Sequence, residues 1–375
     1  MSEVVDRRFD RPQFLARDRF DDLFVALEAR GYHVVGPTVR QGAIVYDRIA
    51  STADLPRGWT ERQEAGTYRL ERRNDDHYFG YTVGPHSWKQ FLFPATATVS
   101  VATRSASGWS VEANDGRDEP AFAFLGMRAC ELAAVAVQDR VFLQKDYADP
   151  VYAARRERAL FIAVNCTQSA PTCFCTSMRT GPHCTAGFDL ALTELDAGFI
   201  VEVGGDRGAD LAASLDLRPA TEAELQSAEI ERRRAAEGQV RSLPGAEVRD
   251  LLMNNLQHPR WNEVAERCLS CANCTMVCPT CFCSSVQEVT DLDAANVERR
   301  RSWDSCFNFD FSYMNGGVVR NSIRSRYRQW LTHKLATWHD QFESSGCVGC
   351  GRCITWCPVG IDLTAEIAAM QGGPA

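Results

Sequence analysis

Cys268-Leu269-Ser270-Cys271-Ala272-Asn273-Cys274-Thr275-Met276-Val277-Cys278-Pro279 and Cys347-Val348-Gly349-Cys350-Gly351-Arg352-Cys353-Ile354-Thr355-Trp356-Cys357-Pro358 repeat one pattern, C-x2-C-x2-C-x3-C-P. Two-residue gaps let the backbone curl so that three thiolates face one cubane, with backbone N–H groups aimed at its sulfurs. Gly349 and Gly351 suit that curl because glycine tolerates positive φ. In this pattern the fourth Cys, before Pro, ligates the other cluster. The spacing therefore predicts two [4Fe–4S] clusters, one on Cys268, Cys271, Cys274 and Cys357, the other on Cys347, Cys350, Cys353 and Cys278. Crossed ligation ties remote segments together, so cluster binding is also folding energy. Zinc would need paired C-x2-C units, not this longer run twice over.

Eight further cysteines lie outside these motifs, and all 16 fall between Cys130 and Cys357. Pro171-Thr172-Cys173-Phe174-Cys175 recurs as Pro279-Thr280-Cys281-Phe282-Cys283. Cys130, Cys166, Cys173 and Cys175 form a candidate ligand set for a third [4Fe–4S] cluster. Their bland alternative is free thiols in a core, where cysteine is at home. Cys281, Cys283 and the nearby Cys306 leave a further site open, lacking an evident fourth ligand. Cys184, after His183 in a Gly/Pro-rich loop, reads as incidental.

Clustered cysteines in a long chain with no apolar leader point to metal sites in a reducing, cytoplasmic setting rather than to disulfides. The Arg7-Arg8 pair lacks a following apolar segment and reads as surface charge. No run of 18 apolar residues suggests a membrane span. A net charge of −8 argues against a nucleic-acid partner.

The apolar spacing from Pro12 to Arg30 predicts an amphipathic helix stopped by Gly31. Strands are expected at Tyr32–Val35, Ala43–Tyr46, Ala97–Ala102, Ala121–Leu125 and Arg158–Val164. Thr67–Glu71 with His77–Val83 reads as a hairpin turning at Asn74-Asp75-Asp76, and Phe188–Leu195 with Gly198–Val203 as another. Glu131 to Leu143 reads as a helix. Residues 1–244 are thus an expected α+β or α/β domain whose strand ends carry cysteines. The charged stretch Glu222–Glu237 reads as a solvated helix between domains. A boundary is expected near Leu243-Pro244-Gly245, with residues 245–375 helical between the Cys motifs and almost free of strands.

Arg320, Arg324, Arg326, Arg328 and Lys334 make a basic helical stretch, read either as a solvated face or as compensation of negative clusters. There is no dinucleotide or P-loop glycine pattern and no H-E-x-x-H. Nor is there a Cys pair suited to a nickel–iron centre outside the motifs. The chain therefore shows means of moving electrons and none of breaking a substrate bond.

Sixty-eight residues separate Cys278 from Cys347, and Asn321 to Trp338 reads as helix. In this the C-terminal part resembles the α-helical ferredoxin domain of electron-transfer subunits. Met127-Arg128-Ala129-Cys130-Glu131-Leu132, Asn165-Cys166-Thr167, Pro171–Cys175, Trp303-Asp304-Ser305-Cys306 and the two motifs together resemble the beta subunit of cytosolic NAD(P)-linked nickel–iron hydrogenases, the sulfhydrogenases. The similarity runs from Gly31 onward, and the electron-transfer subunit of anaerobic sulfite reductase is a relative of the same family. The resemblance implies partners: hydrogenase small and large subunits and an FAD- and NAD(P)-binding reductase subunit. It implies a non-catalytic relay of electrons between them. The sulfite reductase role, and a flavin- or deazaflavin-linked oxidoreductase with its own active site, are the alternatives it leaves.

Overall fold

The computed structural model describes residues 9, 11–116, 118–144, 147–245 and 247–372; the Arg7-Arg8 pair lies outside them. The principal strands in chain order begin with β1 (Gln13–Ala16), β2 (His33–Arg40), β3 (Ala43–Arg48), β4 (Trp59–Glu64) and β5 (Thr67–Arg72). Next come β6 (Thr96–Ser105), β7 (Gly108–Ala113), β8 (Phe122–Met127), β9 (Leu160–Val164) and β10 (Leu190–Leu195). They end with β11 (Gly198–Val203), β12 (Arg218–Pro219), β13 (Ser284–Thr290) and β14 (Asn296–Trp303).

The larger sheet runs β12-β1-β11-β10-β9-β8-β2-β3. Its centre, β10-β9-β8-β2, is parallel, and its flanks are antiparallel. Every residue of β8 and β9 is buried, as expected of parallel strands covered on both faces. Leu125 and Ile162 join one core with Phe20, Leu23 and Leu27; Phe124 and Phe161 join the other with Leu132 and Val135. Burying each large apolar side chain contributes about 1.5–3 kcal/mol relative to exposure. The strand ends of β8 and β9 lie side by side, which is where parallel sheets hold ligands. Here they lead into Cys130 and Cys166.

Several expectations are corrected. Pro12 to Arg30 is not one helix. Gln13–Ala16 is a strand between β11 and β12, and the helix spans only Asp21–Glu28. Pairing with two neighbours overrides the helical spacing of Phe14 and Leu15. The strand Thr67–Arg72 pairs with β4, not with 77–83. Gly66, at φ +72, supplies the two-residue turn with Ala65, while Arg73 ties Asp75 into a local side-chain turn. Cys130 lies inside the helix Ala129–Phe142 rather than in the loop before it. The helix Pro150–Arg158 has no counterpart among the expected elements.

Beyond residue 245 the chain is not free of strands. β13 and β14 pair with each other, and β14 pairs with β6, so one four-stranded sheet, β13-β14-β6-β7, joins both halves of the sequence. The helix Glu222–Glu237 does not bridge two units through solvent. It packs on β10 and β11, with Ala228 and Ala235 buried.

Candidate metal centre

The two Cys motifs adopt the same backbone curl. Gly349 and Gly351 have φ of +65° and +76°; Ser270 and Ala272, at the equivalent places in the first motif, have +52° and +65°. The glycines are needed for a second reason. A Cβ on Gly349 would lie 2.7 Å from the Cys175 backbone, and one on Gly351 would lie 2.4 Å from the Thr172 carbonyl oxygen. The second motif is thus pressed backbone to backbone against the Pro171–Cys175 segment, and Phe174 N donates to Gly349 O at 2.9 Å. At the equivalent place in the first motif Ala272 holds the same left-handed backbone with a side chain present.

Cys268, Cys271, Cys274 and Cys357 line one cavity of about 30 Å³, walled by Phe307, Tyr327 and Trp330, with Cys353 of the second set also on its wall. Ser270 N donates to Cys268 Sγ at 3.4 Å and Ile361 N to Cys357 Sγ at 3.2 Å. Cys347, Cys350, Cys353 and Cys278 form the second group, each of the first three sensing the charge of Cys278. Gly349 N donates to Cys347 Sγ at 3.5 Å. The structure therefore brings together both sets in the crossed arrangement. Among the described residues no three His, Cys, Asp or Glu side chains converge closely enough for a single metal ion. The thiols of the first set stand around a common volume.

Burial pushes up the thiols of Cys268, Cys274, Cys350 and Cys353, and that of Cys347 to about 12. Cys278 goes the other way. A hydrogen bond from Cys281 and the Lys334 ammonium outweigh its burial and hold it well below an ordinary thiol. Lys334 Nζ lies 3.1 Å from Cys278 Sγ and also donates to Thr280 Oγ1 and Gly346 O. Burial disfavours its charge, but Cys278, Cys281 and Cys347 keep it protonated well above the usual lysine range.

The N-terminal set also assembles. Cys130 starts the helix after β8, Cys166 follows β9, and Cys173 and Cys175 sit on the segment against the second motif. Cys173 senses Cys175, Cys166 and Cys350, while Cys130 senses Cys175 and Cys350. Gln239 Nε2 donates to Cys175 Sγ at 3.2 Å. Burial raises all four thiols, Cys175 to about 12. Cys184 is buried beside this set, with its N–H donating to Asn165 Oδ1 at 2.7 Å.

Apart from Lys334 and Arg326, in the basic stretch whose alternative reading is compensation of the clusters, sequence reasoning missed the buried charges beside these sites. Glu131 Oε1 meets Arg352 at 2.5 Å, both being at most 1% exposed. Glu131 Oε2 accepts from Tyr46, Trp88 and Arg128 N. Arg352 faces Cys350, and Arg128, completely buried, faces Cys166. With Lys334, Lys89 and Arg326, five buried cations lie by the cysteine groups and outnumber buried Glu131, an excess that anionic clusters would balance. Of the basic stretch, Lys334 and Arg326 are buried, and Arg320 is half-buried near His333. Arg324 and Arg328 bind Gln257 and the Leu256 carbonyl.

Residues 267–361 match the 4Fe-4S dicluster domain family. Over 314 residues the chain is 30% identical to sulfhydrogenase 2 subunit beta of Pyrococcus furiosus, covering 82% of this chain and 90% of that protein. The chain belongs to the sulfhydrogenase beta-subunit family. No solved structure matches it. As a member of that family with a 4Fe-4S dicluster domain, it is an iron–sulfur electron-transfer subunit. No helix among the described residues is long and apolar enough to cross a membrane.

Proposed function

We propose that this beta-type subunit relays electrons in the cytoplasm between a nickel–iron hydrogenase module, made of small and large subunits, and an FAD- and NAD(P)-binding reductase subunit. Residues 245–375 would be the di-cluster unit, carrying the crossed ligand sets Cys268, Cys271, Cys274, Cys357 and Cys347, Cys350, Cys353, Cys278. Cys130, Cys166, Cys173 and Cys175 would hold a third [4Fe–4S] cluster in the N-terminal part. When bound, such clusters supply one-electron carriers.

The observation that carries this reading is the contact of the second motif with the N-terminal cysteines. Cys350, Cys175 and Cys130 belong to one buried group with Val83 and Trp338, while Cys353 senses Cys274, and Cys274 senses Cys278, across the two motifs. The protein's own residues bury Cys130, Cys175 and Cys350 and half-bury Cys353 and Cys274. They also fix that line of thiols rigidly: Thr180 Oγ1 donates to Val348 O, Thr355 Oγ1 bonds Thr172 Oγ1, and Gly66 N donates to Ile354 O. Rigid packing limits reorganisation when charge changes, and Arg352, Arg128 and Lys334 favour added negative charge.

Anaerobic co-purification tests the proposed place in a complex. The large subunit of a hydrogenase and a flavoprotein are expected to come down with the tagged chain. Recovery of the chain alone, or with a sirohaem protein, would overturn the hydrogenase assignment.

A further inference from the structure

The second Pro-Thr-Cys-Phe-Cys string has no part in the function proposed above. Its cysteines nevertheless lie on a common wall. Cys283 immediately precedes β13 and Cys306 closely follows β14. The hairpin register, Ser284 opposite Trp303, sets these ends together, and Asp304 N donates to Cys283 O at 2.8 Å. Cys281, Cys283 and Cys306 then line one small cavity of about 20 Å³ with His333, Lys334 and Trp338. Of the other residues on that wall, His333 carries the side chain that best serves as an iron ligand. Its ring is positioned by Phe282 and Trp338, at centroid distances of 6.3 and 5.3 Å.

Two buried ammonium groups attend the cavity. Lys334 lies on its wall. Lys89 donates to the Cys281 carbonyl at 3.1 Å and stacks over Trp303 at 3.9 Å. Cations so placed call for anionic partners, and among the residues on this wall thiolates are the groups that can supply the negative charge. These three cysteines also do not converge on a point fit for one metal ion, as the ferredoxin cysteines do not.

We propose that Cys281, Cys283 and Cys306, with His333 as fourth ligand, hold a further iron–sulfur centre beside both ferredoxin centres. Cys281 touches Cys278 of one set, and Cys306 senses Cys274 of the other. The inference is independent of the third cluster and of the partner assignment.

The test uses the full chain, reconstituted anaerobically with ferrous iron and sulfide. Cys306→Ala is expected to lose one cluster's worth of iron and sulfide, with the EPR signals of the other centres unchanged. His333→Cys is expected to keep its iron and change the EPR line shape of one centre, so a folded variant reports even if Cys306→Ala does not fold. Unchanged iron in Cys306→Ala would overturn the proposal. So would a Cys283–Cys306 disulfide in reconstituted protein, or an EPR spectrum unaltered by His333→Cys. Loss of iron in Cys271→Ala but not in Cys306→Ala would sink this inference alone; no loss in Cys271→Ala would sink the ferredoxin ligand sets instead.

Discussion

Replacing Lys334 by Met removes a buried positive charge 3.1 Å from the sulfur of Cys278. An electron arriving on a cluster held by Cys278 would spread over the whole cubane, at a mean separation of about 6 Å from the ammonium. With an effective dielectric of about 20, Coulomb's law makes the ammonium's attraction for that electron about 3 kcal/mol. A tenfold step is about 1.4 kcal/mol, or about 59 mV for one electron, so the potential should fall by about 120 mV. Loss of the hydrogen bond to sulfur acts in the same direction. Lys334→Gln keeps a donor and isolates the Coulomb part. The assay is a potentiometric titration followed by EPR on anaerobically prepared protein. One ferredoxin centre should move to lower potential while the one on Cys268, Cys271, Cys274 and Cys357 moves much less. If no centre in a folded Lys334→Met protein shifts by more than about 30 mV, the reasoning fails.

Cys271→Ala and Cys350→Ala should each lose one cluster and destabilise the C-terminal part, read as iron per chain and resistance to urea. Cys173→Ala should remove a cluster and leave the two ferredoxin signals intact; unchanged iron would delete the third site. Gly349→Ala forces a Cβ to 2.7 Å from the Cys175 backbone at φ +65°, so it should cost about 2–4 kcal/mol in chemical unfolding. Ala272→Gly, at an equivalent left-handed φ, should relieve backbone strain and leave cluster content unchanged. Arg352→Met leaves Glu131 buried with its charge unpaired, and a loss of about 3–5 kcal/mol is expected, measured against wild type in the same assay.

The motifs were legible because their ligands lie within a few residues of one another and impose one backbone path on both copies. Cys130 and Cys166 were legible as a pair because each follows a strand pattern, and adjacent parallel strands end together. The strand Gln13–Ala16 was not, since four residues of apolar sequence fit either period and only pairing with β11 and β12 decides. The helix Pro150–Arg158 did carry a local signal: Asp149 caps it, accepting from Tyr152 N at 2.8 Å, and Pro150 occupies the first turn. β13 and β14 gave little alternation because much of their surface faces solvent. The buried roles of Arg128, Glu131, Lys334 and Arg352 depend on partners up to 268 residues away, and no local pattern distinguishes them from surface charges.

Iron, acid-labile sulfide and zinc, measured together on the anaerobically prepared chain, bear most directly on the central claim that the two motifs enclose cubane clusters. Iron and sulfide should appear in equal amounts, at no fewer than the roughly eight of each that two such clusters contain, with zinc far below stoichiometric. A colourless chain with stoichiometric zinc and no sulfide would contradict it.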